Sequence, residues 1–375
     1  MFVTFLTALP VPAPESIRKL IVSRPDQHTE LLVAAVPTVK ALFGLIEKLE
    51  AMGYPVRQRD RDLGSGLPLI AVWLASPHEN PEPLAAVADL LLLGGGWALL
   101  EEVVADLGAS RESPRGVRLG RLARLPGVYV PSLYALEYAT DGTLVSVIPE
   151  SGVPWPRGLP RGAPFDREEL PPLRHPAPAI QRVLADVPDL ASLAAEAPEG
   201  ERVFLRFALG LPGESAEAFA QWVKGLRHRI VVRLRDERRL PPVSVSLICY
   251  VPKPRTPLQW RPMPDERALK ERLTEAARAL KPVPGVSVTH DLPKWALLEG
   301  MLAMGDRRVG DLLLAVHRLG WDRARVEHPM NPGFFLHRPR RREEILPWDH
   351  VDWGQDRDLL RARYEAAMSE VGAEP

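Results

Sequence analysis

Short apolar runs alternate with amphipathic helical patterns between residues 16 and 108, and this alternation restricts the fold more than any other feature. ELLVAAVP, PLIAVWLA and DLLLLGGG have the length and composition of buried parallel strands. Between the first two runs, TVKALFGLIEKLEAMG has apolar positions at helical spacing, with Gly53 as the stop. Strands that alternate with helices predict a parallel, doubly wound α/β sheet, whose ligands lie beyond the carboxyl ends of the strands.

The carboxyl ends of these three strands are the places where a ligand is expected. They are Val36–Thr38, the Ala75–His78 loop and Gly94–Gly96. The glycines follow a strand and precede a helix, so their backbone amides suit close approach to an anionic group. Glycines of an ordinary tight turn are the commoner alternative.

The remainder of the chain contains a proline-rich stretch and a second strand–helix pattern. Residues 107–200 are weakly periodic, with a hairpin predicted across Asp141–Gly142, an extended wrapping segment after it and a helix at AIQRVLADV. RVFLRFALGLPGESAEAFAQWVKGLRHR then predicts a strand, a loop and a helix with Ser215 as its N-cap. PVSVSLICYVP is the next strand, which predicts two adjacent parallel strands.

A single cysteine, Cys249, and a balance of charges limit the chemistry of the chain. One thiol excludes an intramolecular disulfide, a thiolate zinc site and a cysteine-ligated iron–sulfur cluster. The alternating run around Cys249 indicates a buried strand thiol, and a catalytic thiolate is the alternative. Lys and Arg number 48, as do Asp and Glu, so no global basic field directs the chain to nucleic acid or anionic lipid.

No segment has the pattern of a membrane span or an export signal. The start, MFVTFLTALPVPAPE, is too short to span a bilayer, lacks a basic region and is interrupted by prolines. The run AAVADLLLLGGGWALL is interrupted by Asp89 and three glycines. The sequence therefore predicts a cytoplasmic protein that makes no membrane contact.

An imidazole lies beside carboxylates at His290–Asp291 and at Asp349–His350, and these residues, together with His78 and Glu79, are candidate pocket residues. Such pairs orient a general base or bind a metal, although carboxylates that cap loops are the commoner case. The motifs GxxxxGK[ST], HExxH and GxSxG are absent. We therefore assign no catalytic residue and no metal site from the sequence.

Two arginine-rich patches are candidate sites for RNA or a protein partner. They consist of Arg307, Arg308, Arg338, Arg340, Arg341 and Arg342. Aromatic residues lie nearby at Phe334–Phe335 and Trp348, and guanidinium groups with aromatic rings grip phosphates and stack bases. The alternative is a solvated face in which these arginines pair with neighbouring carboxylates such as Glu344.

Six stretches together resemble the uncharacterised cobalamin-binding-domain radical SAM proteins. They are NPEPLAAVADLLLLGGG, LPGVYVPSLYALEYATDGT, LRFALGLPGES, VSVSLICYVPKPRTPLQW, HDLPKWALLEGMLAMGDRRVGD and ILPWDHVDWG. The resemblance implies a Rossmann-like, cobalamin-binding-type α/β domain, followed by an incomplete TIM-type, radical SAM-like barrel and a helical C-terminal tail. We accordingly expect a Rossmann-like domain over 1–108, a wrapping segment with a hairpin over 109–200, a partial barrel over 201–262 and a mostly helical region over 263–375.

The sequence departs from that family at the iron–sulfur site. Family members carry CxxxCxxC after the first barrel strand, and its thiolates hold a [4Fe–4S] cluster that cleaves S-adenosylmethionine. This chain has no such motif. The piece that carries the cluster loop and the early barrel strands is also missing between Arg174–Pro176 and LRFALGLPGES. The resemblance therefore implies a degenerate member of the family.

The other two cofactor sites implied by the family are also incomplete. Gly210, Gly213 and Glu214 correspond to a loop that lies beside S-adenosylmethionine in the family, and we expect this loop to be vestigial. The glycine-rich turn for cobalamin corresponds to Ala71–Pro77, where Trp73 is bulky, and DxHxxG is absent. We expect neither S-adenosylmethionine, nor a [4Fe–4S] cluster, nor cobalamin to be bound.

These departures predict a radical SAM-like pseudoenzyme that acts as a scaffold or binds a partner. An incomplete barrel leaves strand edges unpaired, so self-association or a full-length radical SAM paralogue is expected to cover them. One alternative is a cluster-free enzyme or ligand-binding protein that uses the strand-end pockets. The other is an RNA-binding accessory to an RNA modification system.

Overall fold

The chain forms two compact units in a computed structural model. The structure describes residues 2–7, 14–22, 28–61, 66–159, 179–183, 202–211, 213–234 and 242–370. The first unit comprises residues 1–171, 252–262 and 298–361, and the second comprises 172–251, 263–297 and 362–375. The first unit thus joins the N-terminal sheet with two later stretches of the chain.

The first unit contains a five-stranded sheet within its described residues. Its strands are β1 (Phe2–Phe5), β2 (Thr29–Ala35), β3 (Leu69–Leu74), β4 (Leu90–Leu93) and β5 (Val128–Tyr129). The first four pair in parallel and β5 pairs antiparallel with β4, so the predicted parallel arrangement of the three apolar runs is confirmed. The doubly wound expectation is wrong here, because the strand order follows the chain without a reversal.

Helices between these strands bury the apolar core of the first unit. They are α1 (Glu15–Arg18), α2 (Val39–Ala51), α3 (Gly96–Ala109) and α4 (Arg115–Leu122). The Thr38 side chain accepts a hydrogen bond from the Ala41 N–H at the start of α2. The helix ends at Ala51, and Gly53, which follows the C-cap residue Met52, has the left-handed φ of 73° typical of a C-terminal stop, as the sequence predicts.

A buried ion cluster fixes the start of the central strands. The Asp89 carboxylate is fully buried and lies 2.7 Å from Nη2 of Arg115 and 3.3 Å from Nε of Arg61. It also accepts a hydrogen bond from the Ile70 N–H at 2.8 Å. Two guanidiniums and one amide thus compensate the burial of this carboxylate.

A β-hairpin follows the first sheet. Strands β6 (Tyr134–Tyr138) and β7 (Leu144–Pro149) pair antiparallel, which confirms the predicted hairpin. Its turn contains Asp141, which accepts a hydrogen bond from the Thr143 N–H, and Gly142, which has a φ of 86°. Of the predicted wrapping segment, residues 160–178 and 184–200 lie outside the described part of the chain.

The second unit contains a four-stranded parallel sheet within its described residues. Its strands are β8 (Ala179–Val183), β9 (Arg202–Leu209), β10 (Val243–Cys249) and β11 (Val286–His290), in the order β11-β10-β9-β8. The predicted adjacency of β9 and β10 is confirmed. Helices α5 (Ala216–Leu234) and α6 (Glu266–Leu280) connect successive strands. The helix expected at AIQRVLADV is wrong at Ala179–Val183, because the open edge of β9 offers backbone partners to a strand there.

The C-terminal region is mostly helical, as expected. It contains α7 (Pro293–Met304), α8 (Arg308–Leu319), α9 (Trp321–Glu327), α10 (Pro332–Leu336) and α11 (Arg357–Glu370). The strand β11 precedes them and was not anticipated from the sequence. Among the described helices, none combines the length and apolar character needed to cross a membrane.

Candidate functional site

A cleft of about 1120 Å³ lies at the carboxyl end of β3 in the first unit. Its walls come from the Ser76–His78 loop, from residues 123–126 and Val128, from Pro154–Leu159 and from Trp353–Gly354. The sequence places a ligand at this edge of the sheet. We call this cavity the strand-end cleft.

Leu159 fills the glycine turn that follows β4. Its N–H donates to the Leu93 carbonyl oxygen at 2.9 Å. A Cβ on Gly94 would overlap the Leu159 carbonyl oxygen, and a Cβ on Gly127 would lie 2.7 Å from Cδ1 of Leu159. Gly94 and Gly95 have φ values of 72° and 70°. The turn glycines therefore admit the protein's own chain, which favours the tight-turn interpretation over an anion site.

Trp73 adjoins the same turn and occupies space that a glycine would leave open. Its indole Nε1 donates to the Gly94 carbonyl oxygen at 3.0 Å, and the residue is 3% exposed. Its ring also makes an edge contact with Trp97, with centroids 5.6 Å apart. The backbone at this point is thus screened by an indole.

Backbone hydrogen bonds and a packed indole hold the outer wall of the strand-end cleft. The Gly158 N–H donates to the Asp352 carbonyl oxygen at 2.7 Å, and the Asp352 N–H donates to the Pro156 carbonyl oxygen at 3.0 Å. The Trp353 ring lies so close to Gly158 that a Cβ there would overlap it. The Arg255 guanidinium lies 5.9 Å from the Trp353 ring centroid.

The ionisable side chains that line the strand-end cleft are basic. They are His78, Arg124 and Arg157, and the described lining contains no carboxylate. His78 Nδ1 lies 3.0 Å from the Pro254 carbonyl oxygen. Because a carbonyl only accepts, Nδ1 carries the hydrogen and leaves Nε2 as the available nitrogen. Glu79 instead caps its own loop, since its carboxylate accepts from the Ser76 N–H at 3.0 Å.

His350 belongs to a buried polar cluster. Its Nε2 lies 3.4 Å from Oε1 of Glu82, whose side chain is fully buried. Glu82 also accepts a hydrogen bond from the Tyr129 hydroxyl at 2.5 Å and pairs with Arg307 at 3.0 Å. Burial lowers the pKa of His350 to about 4, although Glu82 opposes this effect. The imidazole is therefore uncharged in the folded protein at neutral pH.

Asp349 and Arg255 brace the loop that carries His350. The Asp349 carboxylate accepts from the Leu346 N–H at 2.9 Å and pairs with Arg357 at 2.7 Å. Arg255 donates to the carbonyl oxygens of Pro77 and Trp348, at 2.8 Å and 2.5 Å. Burial lowers the pKa of Arg255 to about 10. These residues hold the Ser76–His78 loop and the His350 loop together.

In the second unit, the predicted site residues engage their own loops. The Glu214 carboxylate accepts from the Gly210 and Leu211 N–H groups at 2.6 Å and 3.0 Å and pairs with Arg272. Gly213 is exposed in the same loop. His290 and Asp291 are exposed at the end of β11, where the imidazole contacts the Asp291 carbonyl oxygen at 3.1 Å.

The structure gives the six candidate pocket residues different surroundings. His78 lines the strand-end cleft, Glu79 caps the loop of His78, and His350 meets Glu82. His290 and Asp291 belong to the second unit. Within the described part of the chain, no group of three or more His, Cys, Asp or Glu side chains is arranged to hold a metal ion.

Most of the candidate arginines have internal partners. Arg307 donates to Glu82 and Arg308 to Asp306, while Arg338 pairs with Glu344. Arg340 is 8% exposed and donates to the Phe335 carbonyl oxygen, and its pKa is lowered to about 10 by burial. Arg341 and Arg342 are exposed. The arrangement is that of arginines paired with neighbouring acceptors.

The residues of this chain do not fit an iron–sulfur cluster. Cys249 lies at the end of β10, is 6% exposed and is the single cysteine of the sequence. Burial raises the pKa of its thiol to about 12, with the nearby charges of Asp291 and Glu214 acting in the same direction. A [4Fe–4S] cluster needs several thiolates, and one neutral thiol does not supply them.

The architecture is that of an α/β protein built on parallel sheets, with a strand-end cleft in the first. A family model described as "Radical SAM proteins, N-terminal" matches residues 22–131, a stretch that contains β2 to β5 and the Ser76–His78 loop. The chain is therefore related to radical SAM proteins, over less than a third of its length. Comparison with curated proteins and with solved structures finds no match.

Sequence reasoning missed the aromatic and cationic residues that line the strand-end cleft. Trp155 and Arg157 stand in PWPRG, which was interpreted only as part of a wrapping segment. The signal was the alternation of prolines with large side chains, since proline fixes the backbone that presents its neighbours. Arg124 carried no signal, because its position beside the cleft depends on packing after α4.

Proposed function

We propose that this radical SAM-related chain is a pseudoenzyme, which holds no [4Fe–4S] cluster, does not cleave S-adenosylmethionine and acts by binding. Cys249 carries the proposal. A buried thiol with a pKa near 12 stays protonated at neutral pH, and the chain has no second cysteine to share a cluster. Reductive cleavage requires an iron with an open coordination position, so loss of the thiolates removes the reaction.

The loop at Gly210–Glu214 supports the loss of S-adenosylmethionine binding. Two backbone N–H groups of this loop donate to the Glu214 carboxylate, which also pairs with Arg272. Groups that satisfy each other must be separated before they bind a ligand, and each hydrogen bond left unmade costs about 1–3 kcal/mol. The loop is accordingly a closed structural turn.

The glycine turn after β4 supports the absence of cobalamin. Leu159 occupies the space over Gly94 and Gly95, and Trp73 donates to the Gly94 carbonyl oxygen. A ligand that needs close approach to this backbone would have to displace a residue held by a 2.9 Å hydrogen bond to Leu93. The residues present favour self-packing at this turn.

The exposed side of β11 supports a scaffold or partner-binding role for a partial barrel. In the described sheet β11 is an edge strand, hydrogen-bonded to β10 alone. Arg206, Ser246 and Thr289 are register neighbours on β9, β10 and β11, and they form a polar rung on one face. Edge strands are usually paired or covered, so a second copy of this chain is the partner that we propose for β11.

Anaerobic reconstitution with iron and sulfide tests the loss of the cluster. We expect no broad absorbance near 400 nm and no 5′-deoxyadenosine when S-adenosylmethionine and a strong reductant are added. The Cys249→Ser variant is the matched control, because it removes the single thiol and should give the same spectrum. A cluster spectrum in the wild type that disappears in the variant would refute the pseudoenzyme.

Light scattering over a range of protein concentrations tests whether a second copy of this chain is the partner of β11. We expect self-association that Thr289→Lys weakens, because a charge on an edge strand opposes pairing. Thr274→Lys is the matched control, on the exposed surface of α6 in the same unit. A monomer at all concentrations, or equal behaviour of both variants, would contradict the proposed association.

A second candidate function is the binding of a small ligand in the strand-end cleft. The observation that favours it is a cavity of about 1120 Å³ at the carboxyl edge of the first sheet, with a histidine nitrogen available in it. Ligand pockets commonly measure about 300–1,000 Å³ and contain a few polar groups among apolar ones. Saturable binding that is lost when residues of this cleft are changed would establish it.

A further inference from the structure

We infer that the strand-end cleft binds a nucleotide, that is, a planar heteroaromatic base joined to phosphate. The inference rests on the second candidate function and adds the class of ligand. It is carried by the lining, which combines two indoles with basic side chains and has no described carboxylate.

Arg124 is the first element of this recognition. It is exposed beside the cleft and has no acidic partner among the residues that the structure describes. Its neighbours on α4 differ, since Arg118 and Arg121 each pair with a carboxylate at 2.7 Å. Arg157 lies 3.9 Å from the exposed Asp352 carboxylate, too far for a hydrogen bond. Arg124 is thus available for phosphate, whose oxygens match its planar fork, and Arg157 can add a second guanidinium when phosphate displaces its loose ion pair with Asp352.

Trp155 is the second element. Its side chain lines the cleft while the residue remains 54% exposed, which is unusual for so large an apolar group. Pro154 and Pro156 flank it and restrict its backbone, so little conformational entropy is lost when a ligand covers the ring. A planar base that stacks on an exposed indole buries this surface and gains affinity from it.

Trp353 and His78 complete the site. The Trp353 indole also lines the cleft and is fixed against Gly158 and near the Arg255 guanidinium, so it supplies a second, rigid aromatic surface. His78 Nε2 accepts a hydrogen bond when the imidazole is neutral, which suits an amino or imino group of a base. The volume of about 1120 Å³ accommodates a nucleotide.

The phosphate is bound here by guanidinium groups and not by the glycine turn. Leu159 already fills the space over Gly94 and Gly95, so the amides at the start of α3 are not the anion site. This separates the inferred site from the glycine-rich phosphate loop of dinucleotide-binding sheets.

Titration calorimetry on the full chain tests the inference with ADP, GDP, CDP and UDP, and with adenosine and pyrophosphate as partial ligands. We expect saturable binding of at least one nucleoside diphosphate, with quenching of tryptophan fluorescence. Adenosine and pyrophosphate should each bind at least about tenfold more weakly than the nucleotide, because each supplies one of the two contacts.

Substitutions in the strand-end cleft test which side chains contact the nucleotide. Trp155→Ala and Arg124→Gln should each weaken nucleotide binding at least about tenfold, since both remove a contact made by an exposed side chain. Arg318→Gln is the matched control, because Arg318 is an exposed arginine of the same unit that does not line this cleft and belongs to no candidate site. Circular dichroism of each variant should match that of the wild type.

Three results would overturn the inference. The first is no saturable binding of any of the four nucleoside diphosphates at millimolar concentration. The second is nucleotide binding that both cleft variants leave unchanged. The third is pyrophosphate binding as tight as nucleotide binding and weakened by Arg124→Gln. The cleft would then bind phosphate, but the base would contribute nothing to affinity. Iron–sulfur reconstitution decides the pseudoenzyme proposal independently of all three.

Discussion

Acidification should destabilise the protein through His350, and His350→Phe should remove this effect. The imidazole side chain is 3% exposed, and neither ring nitrogen has a hydrogen-bond partner among the described residues. Phe keeps an aromatic ring against Tyr129 and Tyr134 and does not titrate. The variant therefore changes the proton balance while it preserves most of the packing.

The direction and the size of the change in unfolding free energy follow from the lowered pKa of His350. In the unfolded chain the imidazole binds a proton below pH 6.5, whereas in the folded protein it does so only below about pH 4. Between these values the unfolded state binds more protons, so the free energy of unfolding falls as the pH falls. The difference between the unfolded-state pKa of 6.5 and the folded-state pKa of about 4 corresponds to a loss of about 3 kcal/mol in the free energy of unfolding. The full loss is reached below pH 4.

Urea unfolding of the wild type and His350→Phe between pH 7.5 and 4.5 measures this contribution. Other groups titrate in both proteins, so the difference between the two curves isolates His350. We expect that difference to change by about 2–3 kcal/mol over the window, with the wild type losing more stability. Parallel curves, or an NMR titration of His350 with a pKa near 6.5, would refute the buried neutral imidazole.

Three further predictions concern the glycine turn, the buried ion cluster and the thiol. Gly94→Ala should destabilise the protein by at least about 2 kcal/mol more than Gly53→Ala, because both positions have positive φ but only Gly94 meets a main-chain carbonyl oxygen. Chemical denaturation measures the difference, and equal effects would contradict the packing of Leu159 against the glycine turn. Asp89→Asn should cost about 3–5 kcal/mol because it leaves two buried guanidiniums without a full counter-charge, whereas the exposed Asp322→Asn should cost less than 1 kcal/mol in the same assay. Cys249 should react with a thiol reagent at pH 8 only when the protein unfolds, because its pKa is raised to about 12; rapid native labelling would show an accessible thiolate.

The strands and helices with strong local patterns could be predicted from the sequence. The runs that became β2, β3 and β4 are apolar on both faces, and only a parallel sheet covered by helices satisfies such runs. The stop at Gly53 was also predictable, because a positive φ is inexpensive for glycine alone. For the same reason Asp141–Gly142 marked the hairpin.

Where the local sequence pattern is weak, pairing between strands determined the secondary structure. Ala179–Val183 has no strong preference of its own, and it became β8 because β9 offered unpaired backbone groups beside it. The sequential order of the first sheet was likewise invisible, since alternation of strands and helices is compatible with several orders.

The candidate site shows the same division. The sequence by itself determined that this chain has one thiol, because cysteines are counted directly. It also pointed to the carboxyl ends of parallel strands, because the strands can be recognised from their local apolar pattern. Only the tertiary structure decided that Leu159 fills the glycine turn, that His350 is buried beside Glu82, and that Trp155 and Arg124 line one cleft. Those residues are distant in sequence, and no local pattern encodes which long-range contacts minimise the free energy of the whole chain.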